Sequence, residues 1–256
     1  MIKALICAVR FLTILPFGKS LNSTSKDLAR SMAFYPVIGY GIGLLMLGFY
    51  SLVSHGVAPI FAVVFTFLIG IILTGALHLD GFADTCDGFY GGKSKDEILA
   101  IMRDSHIGAM ATGGLFCLLV LKLSLFLSLY TRGILNVALL LTPALGRWAM
   151  VVATSLYPYA RTEEGLAKPF IEEISWKEGV IATVVLLVLV YGQMKQPGAL
   201  LVLNVLIVVM LVSRWISKKI GGMTGDTLGA INELAEVACL ILLHWYIPIA
   251  KEVWTI

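Results

Sequence analysis

The chain has 256 residues, of which 59% are hydrophobic and only 14% charged, and its mean hydropathy is +0.91. Soluble domains carry about 25% charged residues, so a surface this poor in charge faces lipid rather than water. A net charge of +3 without a dense basic patch argues against nucleic acid, and four scattered cysteines with no C-x-x-C pair argue against a disulfide framework or a zinc knuckle.

The stretch from Ile2 to Phe17 is apolar but interrupted by Lys3 and Arg10 and closed by Pro16. No small-residue cleavage site precedes Gly18 convincingly, so a helix lying along the interface or tucked against the bundle is expected rather than a signal peptide. Apolar stretches able to cross roughly 30 Å of hydrocarbon follow at about 33–53, 58–79, 108–130, 135–156, 179–194, 199–215 and 230–250. The fifth and sixth are short, so seven spans is the expected number and six the alternative. The expected fold is all-α: a polytopic transmembrane helix bundle of about six or seven spans with an N-terminal interfacial or re-entrant helix. Residues 1–256 form one integral membrane catalytic domain in this reading, because the length leaves no room for a soluble one.

The basic residues set the orientation. With seven spans, Arg132, Lys195 and Lys251 fall on one side, Lys122 and Arg147 inside spans, and all the others on the opposite side. The positive-inside rule places that basic side in the cytoplasm. Every Asp and Glu except Glu252 lies in the same loops or just inside the start of the last span. A transporter would more often gather polar groups near the midplane between broken helices. The layout suits an enzyme working at the cytoplasmic surface of its membrane.

The richest segment follows the second span: His78-Leu79-Asp80-Gly81-Phe82-Ala83-Asp84-Thr85-Cys86-Asp87-Gly88. On a helix, Asp80, Asp84 and Asp87 fall at i, i+4 and i+7 and form one stripe. Like charges at that spacing repel, and oxygen donors without a Cys or His pair point to magnesium or manganese rather than zinc. Single aspartates often just cap helices and face water; three on one stripe at a membrane exit, flanked by Gly81 and Gly88, favour the metal reading. A second cluster, Met102-Arg103-Asp104-Ser105-His106-Ile107-Gly108, offers Arg103 as a bidentate phosphate contact and His106 as a proton donor or phosphate contact. A salt-bridged juxtamembrane loop would look the same.

Arg147, within Pro143-Ala144-Leu145-Gly146-Arg147-Trp148, costs about 2.5–3.5 kcal/mol to insert in a span, so it should have a carboxylate or phosphate partner. Lys122 has no carboxylate or glycine neighbours in its span and is either a snorkelling residue or one the sequence does not explain. The loop Tyr159 to Phe170, with Arg161, could close over a substrate or serve as a solvated connector. The turn Gly221-Gly222-Met223-Thr224-Gly225-Asp226-Thr227 precedes the last span and presents backbone N–H groups to an anion, although it lacks the P-loop pattern. Asp226 could join the metal shell. Glu233 and Glu236, intruding into that span, are costly enough to expect a function.

Taken in order, L-H-L-D-G-F-A-D-T-C-D-G, I-M-R-D-S-H-I-G, G-R-W-A-M, A-R-T-E-E-G-L-A and G-D-T-L-G-A resemble the successive motifs of the cobalamin synthase (adenosylcobinamide-GDP ribazoletransferase) family, over about residues 10 to 240. The early F-L-T-I-L-P and F-Y-P-V-I-G-Y-G-I-G segments fit it as well. His106 stands where arginine is expected, which keeps a basic anion contact but loses its bidentate geometry. The resemblance implies transfer of α-ribazole or its 5′-phosphate onto adenosylcobinamide-GDP, with release of GMP and a requirement for Mg2+. Metal ligands are then expected at Asp80, Asp84, Asp87 and Asp226, and a general base at Asp87, His78 or Asp104. Substrate contacts are expected at Arg103, His106, Arg147, Arg161, Gly225, Thr227 and Glu233. The partners are those two small molecules and the bilayer, no nucleic acid, and a homo-oligomer is compatible with this reading. A CDP-alcohol phosphotransferase is disfavoured because Leu77 and Ala83-Asp84 stand where its acidic residue and A-R pair belong. A divalent-cation transporter is disfavoured by the loop placement of most acids.

Overall fold

The computed structural model describes residues 1–17 and 22–254, with side chains through residue 246. Lys19 thus lies outside the described residues, as do the side chains of Lys251 and Glu252. Among the described residues the structure is all-helical, without strands. Helix α1 (Ile2–Leu12) buries Ala4, Cys7, Ala8 and Leu12. It tucks against α2 (Ser25–Ser31), and Phe11 packs on Phe170 with ring centroids 4.6 Å apart. A capping box of Thr24 and Asp27 starts α2, and Lys3 reaches Asp27 at 3.2 Å. One 3-10 turn, Met32–Phe34, then joins α2 to α3 (Tyr35–Val53), giving a continuous helical path from Ser25 to Val53 whose apolar part can cross a membrane.

The second expected span is the one the structure alters. Helix α4 (Pro59–Leu73) has 15 residues, about 22 Å at 1.5 Å per residue, which is short for a bilayer. Gly75 and Ala76 then take left-handed conformations, φ 60° and 56°, and α5 (Leu77–Gly91) departs at 82° to α4. Six helices are long and apolar enough to cross a membrane, or seven spans result if α4 and α5 count as one bent crossing. The others are α7 (Ala109–Thr131), α8 (Leu135–Leu156), α10 (Trp176–Met194), α11 (Gln196–Ile220) and α12 (Gly225–Trp254), with the short helices α6 (Lys95–Ile101) and α9 (Lys168–Glu173) between them. The two stretches that looked short are full length: a Ser175–Glu178 capping box starts α10 early, and α11 runs on through its basic last turn to a left-handed Gly221.

Helix α8 is the axis of the bundle and is buried along nearly its whole length. Helix α3 approaches it through Gly39 and Gly43, where any side chain would strike the α8 backbone around Leu139 to Ala144. Gly43 lies against the Leu139 carbonyl, which Pro143 leaves without its helical donor. At one end of the bundle the segments expected as loops are largely helical. That end gathers α5, α6, the turn before α9 and the turn before α12. Residues 158–160 and 223 join them by backbone bonds: Ala160 N–H to the Met223 carbonyl at 2.9 Å, and Met223 N–H to that of Pro158 at 2.8 Å.

Candidate active site

The aspartate stripe does fall on one helix, α5, but its three members have different surroundings. Asp80 is exposed and Asp84 half-buried. Asp87 accepts the N–H of Gly108 at 2.6 Å and of Ala111 at 2.8 Å, one on each carboxylate oxygen. It therefore caps the N-terminus of α7, where a negative charge also meets the positive end of the helix dipole. Gly108 is required there, because a Cβ would lie 2.6 Å from the Asp87 carboxylate.

Two glycines bring Asp226 to the stripe. The Cβ that Gly81 lacks would stand 2.7 Å from the Asp226 carbonyl oxygen, and that of Gly229 would press on His78. Backbones of α5 and α12 therefore meet at van der Waals range, and the first turn of α12 sits beside Asp80 and Asp84. Helix α5 turns away from α4 and lies outside the six spans. Burial first, then the charges of Asp226 and Asp80, push the Asp84 carboxyl up to about 7.

Arg161 bonds Asp226 at 2.8 Å, while its own Nε is buried and without a partner. Thr224 and Thr227 cap the start of α12 reciprocally: Thr224 N–H donates to the Thr227 hydroxyl at 2.8 Å, and Thr227 N–H to that of Thr224 at 3.2 Å. Thr227 is thereby buried in the cap, and Gly225 is exposed beside Ala167. Further out, Arg103 donates to Glu163 at 2.8 Å, and His106 Nδ1 meets Asp104 at 2.6 Å. That contact raises the pKa of His106, whose side chain is 89% exposed. Lys95, Asp96, Leu99, Ala100 and Arg103 face Ala160 to Glu163 across a cavity of about 330 Å³. Arg161 thus touches both the carboxylates and this cavity.

The remaining expected residues belong to a second, interior cluster. Glu233 and Glu236 each accept from Lys122 Nζ at 2.6 Å, Glu236 also pairs with Arg147, and Asn232 donates to both carboxylates at 3.1 and 3.2 Å. All are buried. Two cations meet two carboxylates, so the cluster is neutral. Arg147 has the carboxylate partner expected of it. Lys122 does not snorkel; it is the counter-ion that the two glutamates require. His78 is buried next to this cluster with Nε2 unpartnered, away from the exposed face.

Among the described residues, no three histidine, cysteine or carboxylate side chains stand close enough to hold an ion between them. The donor set at the α5–α12 crossing still fits Mg2+, which is commonly held by one or two carboxylates together with substrate phosphates. Asp80, Asp84 and Asp226 supply hard oxygen donors, and their mutual repulsion leaves negative charge for a cation to neutralise.

The sequence model of the family described as Cobalamin-5-phosphate synthase matches residues 4–244. Relatives named adenosylcobinamide-GDP ribazoletransferase include those of Thermoanaerobacter sp. (strain X514), 36% identical over 94% of this chain and 96% of the relative, and Alkaliphilus oremlandii, 39% identical over 93% and 96%. That of Clostridium acetobutylicum is 31% identical over 94% and 96%. No solved structure matches the chain. With nearly its full length aligned to such relatives, the chain belongs to the cobalamin-5-phosphate synthase family.

Proposed function

We propose that the carboxylates gathered where α5 crosses α12 carry the ribazoletransferase reaction of cobalamin synthesis. The chain is a membrane enzyme that joins ribazole to adenosylcobinamide-GDP. A ribazole hydroxyl oxygen forms a bond to the phosphorus on the cobinamide side of the diphosphate. The phosphoanhydride bond to that phosphorus breaks, and GMP leaves with its electron pair. Asp80 and Asp84, with Asp226 beside them and the diphosphate oxygens completing the shell, would hold Mg2+, which supplies charge neutralisation to the diphosphate when bound. Arg161, anchored on Asp226 and lining the adjoining cavity, would contact a phosphate oxygen through its guanidinium. Arg103 and His106 stand at the rim, each holding a carboxylate that an incoming phosphate displaces.

A loose transition state asks little of a general base. Of the three candidates, Asp87 caps α7 and His78 is sealed in the interior, which leaves Asp104, exposed at the same end, to take the hydroxyl proton. Arg147 and Glu233 act from within, as parts of the neutral cluster. That neutrality also disfavours a cation transporter, since Lys122 and Arg147 already occupy the intramembrane carboxylates.

The observation that carries this reading is the glycine-mediated contact that sets Asp226 beside Asp84, with Arg161 bridging to the adjoining cavity. Detergent-solubilised protein given Mg2+, adenosylcobinamide-GDP and α-ribazole should release GMP and form a cobalamin. Asp84→Asn should insert normally and lose turnover; near-normal activity in that variant overturns the assignment. The positive-inside distribution supports a cytoplasmic location for this end of the bundle. A membrane-impermeant thiol reagent should reach a cysteine placed at His106 only after the cytoplasmic face is opened.

A further inference from the structure

The cavity beside Arg161 holds more polar chemistry than a diphosphate needs. Its walls carry the charged groups of Lys95, Arg103 and Arg161 with Asp96 and Glu163, beside apolar surface that includes Leu99, Ala100 and Ala160. Arg103 and Glu163 bond each other, and Arg161 bonds Asp226. Asp96 has no ion pair and no hydrogen-bond partner for its side chain among the described residues. It is not needed to start α6 either. Ser94 caps that helix by accepting from Glu97 N–H, and the Glu97 carboxylate takes the N–H of Lys93 at 2.8 Å. Asp96, exposed in the first turn of α6 and bonded to no other side chain, therefore turns its carboxylate to a cavity lined by three cations next to the phosphate site.

We infer that this cavity seats the guanosine of the leaving nucleotide and that Asp96 reads its base, an assignment that rests on the α5–α12 carboxylates being the diphosphate site. The volume, about 330 Å³, is within the range of small-molecule pockets. Arg161 links it to Asp226, so a diphosphate held at the carboxylates has its nucleoside end at the cavity mouth. Guanine presents N1–H and the 2-amino group side by side, two donors that match the two acceptor oxygens of one carboxylate. Adenine offers an acceptor at N1 and would be repelled. The benzimidazole of ribazole carries no ring N–H donor and would leave the charged walls unsatisfied. The Asp96 carboxylate among these charged groups thus selects the guanine half over the acceptor base.

Xanthine, which replaces the 2-amino donor of guanine with a carbonyl acceptor, gives a test that reads a gain. An asparagine at position 96 offers one acceptor and one donor, complementary to xanthine N1–H and its 2-carbonyl. The wild-type protein should prefer adenosylcobinamide-GDP to its xanthine counterpart by about 100-fold in kcat/KM, as sites built on hydrogen bonds reject analogues that lack them. Asp96→Asn should erase or reverse that ratio by gaining on xanthine. A variant that keeps the wild-type preference, at whatever overall rate, overturns the inference. A second measurement needs no variant: GMP should inhibit the wild-type enzyme at least tenfold more tightly than XMP or IMP, and equal inhibition by the three also overturns it. If Asp84→Asn is inactive while either test fails, only the base assignment is lost. If Asp84→Asn turns over normally, the diphosphate site itself is wrong.

Discussion

Gly81 lies so close to Asp226 that a methyl group on the glycine would stand 2.7 Å from the aspartate's carbonyl oxygen. The contact is backbone to backbone, so no side-chain rotation can relieve it. Gly81→Ala should force α5 and α12 apart, at about 1–3 kcal/mol of overpacking. A separation near 1 Å between Asp84 and Asp226 would lower turnover by about 100-fold. The expected result is a modest fall in thermal stability with a large fall in kcat. Full activity in a folded Gly81→Ala protein would show that the two aspartates need not act together.

Asp87 and Asp80 share a helix face, yet their substitutions should fail differently. Asp87 holds two N–H groups of α7. Asp87→Ala should lower stability by about 0.5–2 kcal/mol, the usual effect of removing a cap, and leave the Mg2+ concentration for half-maximal activity unchanged. Asp80 is exposed and makes no such bond, so Asp80→Asn should leave stability unchanged and raise that Mg2+ requirement. Titrating Mg2+ against activity for both variants separates the roles. A raised requirement in Asp87→Ala would return Asp87 to the metal.

The spans were legible because twenty apolar residues in a row have few other uses: α3, α7 and α8 lie where the sequence predicts them, while α12 begins at Gly225, five residues before the expected span. The break after Leu73 was not. Glycine at 75 is an ordinary signal, but Ala76 in a left-handed conformation leaves no trace in residue type, and the turn is closed by backbone bonds from Gly75 N–H to the Ile72 carbonyl and from Ala76 N–H to that of Ile71. The aspartate spacing gives one stripe only on a helix, and the segment expected as a loop is that helix, α5. The spacing could not reveal that Asp87 faces the N-terminus of α7, because that contact spans 21 residues of chain. Lys122 was missed for the same reason, its partners being 111 and 114 residues away. A count of intramembrane charges would have found it: two carboxylates in one span, and one cation in each of two others.

The raised pKa of Asp84 makes a prediction for the metal-free protein. Its carboxyl titrates near 3.8 when unfolded and at about 7 when folded. Between those values the folded state binds the extra proton, so stability should fall as pH rises from about 4 to 7 and then level off. Mg2+ should restore stability most above pH 7, where the carboxylate is free to bind it. Thermal unfolding in detergent with EDTA, at pH 5 and at pH 8, measures the slope. Asp84→Asn should flatten it, and an unchanged slope in that variant would place the titration elsewhere.

The interior cluster predicts a compensation between two distant residues. Lys122→Met leaves Glu233 and Glu236 buried with Arg147 as their only cation, and breaking a buried pair in this way typically destabilises by about 3–5 kcal/mol. Lys122→Met combined with Glu233→Gln removes one charge of each sign and leaves Arg147 and Glu236 matched. The double variant should therefore recover much of the lost stability, with a coupling energy of about 0.5–3 kcal/mol. Glu233→Gln alone should be the milder single change, since Lys122 keeps Glu236. Thermal unfolding of the four proteins in one detergent completes the cycle. Additive losses would mean that Lys122 contributes by packing its chain rather than by balancing the two glutamates.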